Sequence, residues 1–193
     1  QRAQQCLDHL DGLALDSRAA HSLAQVRHEW RPLADALDDR AAAPGGLAEL
    51  DERAEALLGA AEALTGALEA TGARNALRIV NICGRQRMRA QRLAKDALLA
   101  SLLNSEAARA RQTLTMDEFE AALLDLEQAP VSSAEIRAML AQARDEWLVL
   151  LGGVRNADSA DGRMALVRAS EALLQRFDLL TASYERSLHV IMS

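Results

Sequence analysis

Residues 76–101 read ALRIVNICGRQRMRAQRLAKDALLAS, and the period of this stretch decides the fold. Ala76, Val80, Cys83, Arg87, Ala90, Ala94, Ala97 and Ser101 succeed one another at steps of four and three, so they share one seam of a helix at coiled-coil spacing. Nearly every member is small, which lets a partner backbone approach closely. Arg87 is the exception and brings the only formal charge of the seam. The adjoining seam, Leu77, Asn81, Gly84, Met88, Gln91, Lys95 and Leu98, is also polar at its centre.

The rest of the chain agrees with a helical reading. Half of the 193 residues are hydrophobic, yet only 3% are aromatic, and long runs of Ala, Leu, Glu and Arg dominate. These side chains lose little rotamer freedom in a helix. No alternating Val/Ile/Thr run bounded by turn residues argues for a strand. The expected class is all-α, an elongated four-helix-bundle-type domain. The net charge of −6 argues against nucleic acid, whose phosphates need a basic face. No run approaches the ~18 apolar residues of a membrane span, and no signal peptide stands at the start. The chain opens in mid-pattern at Gln1-Arg2, which suggests an upstream segment. Cys6 and Cys83 are too few for a disulfide framework.

Breakers divide the chain at Ala41–Gly46, at Ala129–Ser132, and from Gly152-Gly153 to Asp161-Gly162. Thr115 with Glu118, and Ser132 with Glu135, fit the capping-box spacing. These signals predict helices near 1–13, 17–40, 47–71, 74–110, 115–128, 132–152 and 162–190, with Gly72 read either as a break or as a bend that leaves the third and fourth one long helix. An internal repeat is also legible. Leu23–Trp30 matches Leu140–Trp147 at six of eight places, and Ala54–Leu58 matches Ser170–Leu174. Gln1-Arg2 then falls opposite Gln91-Arg92. Residues 1–72 are accordingly expected to form a shortened first repeat lacking the helix near 115–128, and residues 73–193 a complete second bundle. Trp30 and Trp147, at matching places, are expected in helix packing rather than ligand stacking.

A guanidinium in an alanine seam is expensive to bury without a partner. Three answers are open for Arg87. It pairs with an internal carboxylate or snorkels to solvent; the polar seam sets oligomer register; or the helix holds an anion. If two such helices meet across a two-fold axis, the paired Arg87 side chains at ~6 Å and an effective dielectric of ~20 repel by on the order of 3 kcal/mol. A flat oxyanion between them removes that repulsion and accepts forked hydrogen bonds from both. Arg85, Arg89, Arg92 and Lys95 add positive potential within the same turns of an otherwise acidic chain. No Ser/His/Asp set, paired Glu-x-x-His motif or glycine-rich phosphate loop is present, so no catalytic residue, metal site or cofactor is expected. His9, His21, His28 and His189 lack metal-type partners and are expected at the surface or at caps.

Asn81-Ile82-Cys83-Gly84-Arg85-Gln86-Arg87-Met88-Arg89-Ala90-Gln91-Arg92-Leu93-Ala94-Lys95 resembles the signature of PilJ-type sensory domains. It is also similar to the P-box of nitrate/nitrite sensor kinases of the NarX and NarQ type. The resemblance is specific over these residues, through Asn81, Gly84, Arg87-Met88, Gln91 and Arg92, and weak over the surrounding bundle. It implies a four-helix-bundle ectodomain that binds nitrate or nitrite at a helix–helix interface, usually between two subunits. On that carry-over Arg87 grips the anion, Arg92 is a second contact or field-setting charge, and Gly84 permits close helix approach. Asn81, Met88, Gln91 and Arg85 complete the implied ligand-binding set. Cys83 stands where Ala is common, and Arg89 replaces an apolar residue.

The resemblance further implies a homodimer, a signalling partner protein as in chemotaxis, and a periplasmic location. An internal pseudo-dimer, with the first copy's motif helix against residues 81–95, is the alternative geometry. The alternative function is a helical dimerisation or scaffold protein whose motif is only a seam.

Overall fold

In a computed structural model the protein is described over residues 2–38, 46–71, 76–129 and 133–192, with no strand among them. Seven helices follow in order: α1 (Arg2–Asp11), α2 (Ser17–Asp38), α3 (Gly46–Thr71), α4 (Ala76–Leu103), α5 (Glu106–Glu127), α6 (Ala134–Arg155) and α7 (Ala160–Met192). They group into two compact units, residues 1–74 and 75–193. None of these helices is long and apolar enough to cross a membrane.

The second unit is an antiparallel four-helix bundle. Around the bundle the order is α5, α4, α7, α6, each neighbour running opposite to the last. Cross-helix pairs fix that register: Arg89 with Glu118 between α4 and α5, Arg87 with Asp178 between α4 and α7, and Arg176 with Glu146 between α7 and α6. Four of the chain's few aromatic residues meet inside this bundle. Phe119 stacks on Trp147 with centroids 4.0 Å apart, and Phe177 meets Phe119 edge-on at 5.8 Å. Buried Tyr184 donates to the Leu126 carbonyl at 3.3 Å. Against these large rings α4 presents Cys83, Ala90, Ala94 and Ala97, all buried. Small residues on one helix thus make room for rings from the other three.

The buried face of α4 differs from the seam read in the sequence. Gln86, at 0% exposure, occupies the core where Arg87 was expected, and the Arg87 side chain is 40% exposed. The core line runs Cys83, Gln86, Ala90, Leu93, Ala97 and Ala100, again at steps of three and four. The amide of Gln86 is satisfied there by donating to the Phe119 carbonyl at 2.8 Å. One position of rotation therefore moves the charged side chain from the core to its rim, where solvation costs little.

Several boundaries also differ. Asn104, with φ 52°, turns the chain in the left-handed region, and Ser105 caps α5 by accepting from the Ala108 N–H at 3.2 Å. The fourth helix therefore ends before 110, and Thr115 lies buried inside α5 rather than at its start. Ser133 caps α6 by accepting from Ile136 N–H. The capping residue proposed at Ser132, the loop over 41–45, Pro130-Val131 and the bend at Gly72 lie outside the described residues. Gly152 and Gly153 continue α6 and Gly162 lies in α7, so the break falls at Asn156–Ser159 instead. Gly153 is needed there for contact, since a Cβ would stand 2.9 Å from the Leu166 backbone nitrogen.

The first unit pairs α2 with α3, and α1 lies against α2. Its small core is Leu7, Leu23, Val26 and Leu64, with Trp30 and Leu57 packed on it. α2 and α6 are each 22 residues long. The buried positions Ala19, Leu23, Val26 and Leu33 of α2 correspond to Ile136, Leu140, Ala143 and Leu150 of α6 in the same spacing. Leu64 and Ala67 of α3 correspond likewise to Leu180 and Ser183 of α7. Trp30 is half-buried at the place where Trp147 is enclosed, and no counterpart of α5, which carries the stacking Phe119, is described in the first unit.

Candidate functional site

The motif residues spread over three sides of α4 rather than one. Towards α5 lie Arg89, whose Nε is 3.1 Å from Glu118 Oε2, and Asp96. Arg89 also donates to the Gln86 side-chain oxygen at 3.2 Å, so the buried amide is held from both ends. Towards α7 lie Cys83, Arg87 and Gln91. Gln91 Nε2 donates to the Ser170 carbonyl at 3.0 Å, and Ser101 further along donates to the Ala157 carbonyl at 3.1 Å. Asn81, Gly84, Arg85 and Met88 are half-buried and lie outside the bundle's core cluster. Apart from its chain neighbours and its own helix backbone, no heavy atom lies within 4 Å of a Cβ built at Gly84, in contrast to Gly153, so the close approach expected there is not made among the described residues.

Arg87 has an internal acid. Its Nη1 lies 2.8 Å from Asp178 Oδ1 on α7, with side-chain exposures of 40% and 50%. Of the three answers open to Arg87, the internal carboxylate is the one present. Its Nε is buried without a hydrogen-bond partner, so only part of the guanidinium fork is in use. A pair this exposed stabilises the fold by about 0–1 kcal/mol.

A second charge cluster was missed in the sequence. Asp96, one residue past the motif, is at 0% exposure and accepts from Arg111 of α5 with both oxygens, at 2.7–3.2 Å. Lys95 Nζ stands 3.1 Å from the same carboxylate and Arg92 Nε 4.0 Å from it. Gln112 donates to the Asp96 carbonyl at 3.1 Å. Two of the cations read as a free positive field, Arg92 and Lys95, therefore sit beside a buried anion. The available signal was the Asp96/Arg111 pair itself, but its members lie in different helices, and the helix end at Leu103 that makes them neighbours was not seen.

Cys83 is fully buried against α7, and burial pushes its thiol up to about 12, partly offset by a hydrogen bond with Thr181. It is a core thiol, not a reactive one. Cys6 is an exposed free thiol. His9, His21 and His28 are exposed, and the His189 side chain lies outside the described residues. Trp147 serves packing, with its indole N–H 3.3 Å from Glu120. Asp145 is exposed, whereas Glu146 is an ion-pair partner of Arg176 at 2.8 Å.

The family model of the PilJ domain, described as the N-terminus of type IV pili methyl-accepting chemotaxis transducers, matches residues 68–173. The match spans α4, α5, α6 and the first half of α7, and includes every motif residue but not Asp178. No curated protein and no solved structure matches the chain.

Proposed function

Since the chain belongs to the PilJ family of chemotaxis-transducer N-terminal domains, which serve in signal sensing, we propose that it senses a small oxyanion, nitrate or nitrite, with Arg87 as the gripping residue. One observation carries this reading: the Arg87 side chain stands at the rim of the bundle, 40% exposed, and meets its acid through Nη1 alone. A charge-assisted hydrogen bond from arginine contributes roughly 1.5–3 kcal/mol. Two or three of them, less ordering and desolvation, suit a micromolar ligand at about −8 kcal/mol.

In this reading the ligand lies between two copies of the chain. Val167, Glu171, Leu174 and Asp178 succeed one another along one stripe of α7, a mixed apolar and acidic surface with Val167 54% exposed and Asp178 at Arg87, along which a partner helix could lie. Gly84, open on its Cβ side, leaves room for such a helix. Asn81, Arg85, Met88, Gln91 and Arg92 flank the anion or set its field. The domain works in the periplasm and passes its signal to a partner protein through helix displacement.

The second reading is a helical dimerisation or scaffold module, favoured by the fact that Asp178 and Asp96 stand beside motif cations. Titration calorimetry with nitrate, nitrite, sulfate and chloride at fixed ionic strength separates the two. We expect saturable binding of nitrate or nitrite alone, and Arg87→Ala to weaken it at least a hundredfold without loss of helical content. Silence from all four anions, or undiminished affinity in Arg87→Ala, would sink the assignment in favour of the scaffold.

A further inference from the structure

Three guanidinium–carboxylate pairs of the bundle differ in how firmly they are made. Arg111 grips Asp96 with two nitrogens, and Arg144 grips Glu127 with two nitrogens at 2.8 Å each. Arg87 reaches Asp178 with Nη1 alone, leaves Nε without an acceptor, and is half in solvent. A monodentate, hydrated pair is the easiest of the three to exchange for another anion. A planar oxyanion can take two donors of the same fork at once, so the exchange adds a hydrogen bond while the Asp178 carboxylate returns to water.

Asp178 belongs to α7, whose buried Phe177, Leu180 and Tyr184 share the core with α4, and a series of polar contacts runs beside that packing. Ser101 bonds to the Ala157 carbonyl and the Asp158 side chain near the α6–α7 turn, Gln91 to the Ser170 carbonyl midway, and Arg87 to Asp178 beyond them. Of these contacts the last joins two opposite full charges, and beside it on the C-terminal half of α7 the Cys83–Thr181 hydrogen bond also links the two helices. The corresponding place in the first unit, set by Ala54–Leu58 against Ser170–Leu174, is Glu62, also acidic.

Resting on the oxyanion reading of Arg87, we propose that Asp178 is the resident counter-ion of that site: an incoming anion displaces its carboxylate from Arg87, and the displacement loosens the rim of the α4–α7 contact around Asp178 while the apolar core stays packed. Asp178 thereby weakens ligand affinity in return for coupling the site to helix α7. Its negative charge also disfavours divalent anions more than monovalent ones, because repulsion grows with ligand charge.

The test is nitrate titration of the full chain carrying Asp178→Asn beside the wild type, with amide hydrogen exchange over residues 174–187. We expect Asp178→Asn to bind nitrate roughly three- to tenfold more tightly, as loss of an exposed competing pair allows. In the wild type, saturating nitrate should speed exchange in that segment by up to about fivefold; in Asp178→Asn exchange should already stand at the faster rate and be unmoved by nitrate. Equal affinities in the two proteins overturn the counter-ion role and leave the oxyanion reading standing. Absence of nitrate binding in both overturns the oxyanion reading and the counter-ion role with it.

Discussion

Asp96 and Arg87 sit on the same helix within three turns of each other, and their surroundings assign them opposite kinds of work. The Asp96 carboxylate is out of contact with water and is held by the bidentate Arg111 fork, with Lys95 and Arg92 alongside. Removing one member of a buried pair leaves the others facing low dielectric, a loss of several kcal/mol where burial is complete. The cations here are partly exposed, which reduces it. Asp96→Asn should therefore cost on the order of 3 kcal/mol and lower the melting temperature by roughly 6–12 °C. Arg87→Ala, at a half-exposed pair, should move it by no more than about 2–4 °C. Thermal denaturation followed by circular dichroism checks both. Equal shifts would mean that the Asp96 cluster is hydrated in solution and does not hold α4 to α5.

At the scale of elements, the α6–α7 hairpin is set by how closely its turn is packed. Ser159 caps α7, its hydroxyl accepting from the Gly162 N–H at 2.9 Å, and Asn156 caps α6. A Cβ on Gly162 would stand 1.8 Å from the Asn156 carbonyl oxygen, a backbone atom that cannot swing away. Gly162→Ala should therefore destabilise the bundle by about 2–3 kcal/mol, as forced overpacking does. Gly152→Ala, where a Cβ meets open space inside α6, should instead stabilise by about 0.5–1 kcal/mol through lost chain entropy. Urea denaturation of the two variants reads the sign directly, and destabilisation by both would refute the packing account of the turn. The same turn shows where the sequence was legible. Helix class followed from composition and periodicity, helix count from the breakers, and the matching of α2 to α6 from the repeat of Leu23–Trp30 in Leu140–Trp147, each a signal spread over many residues. Helix ends turn on a single hydroxyl: Thr115 and Glu118 have the capping spacing yet lie inside α5, because Asn104-Ser105 had already turned the chain. The rotation of α4 was misread for a related reason. Arg87 and Gln86 are neighbours separated by about 100° on the helix, and small residues on either side left the hydrophobic stripe too broad to choose between them. Asp178 could not be placed at all, since its partner lies on a helix distant in sequence.

For the whole molecule, the two units carry unequal shares of the buried apolar surface. Residues 75–193 enclose Phe119 in contact with the rings of both Trp147 and Phe177, with Tyr184 hydrogen-bonded to Leu126, and leucines from all four helices. Residues 1–74 enclose Leu7, Leu23, Val26 and Leu64, and their tryptophan is only half-buried. Chains of this shorter length bury only about 60% of their unfolded surface, and such small cores seldom exceed about 3–5 kcal/mol. Residues 75–193 expressed alone should therefore melt cooperatively and keep their helicity, whereas residues 1–74 alone should show a broad transition or none. A sharp transition above ~50 °C for the shorter piece would contradict the inequality of the cores. The longer piece also bears on the ligand. The proposed homodimeric site, if built from Arg87 and its neighbours, is contained in residues 75–193, so on that proposal the piece should bind nitrate as tightly as the full chain and at one ion per two chains. Affinity lost while the bundle stays folded would overturn the homodimeric site, and binding at one ion per chain would place the anion on a single bundle instead.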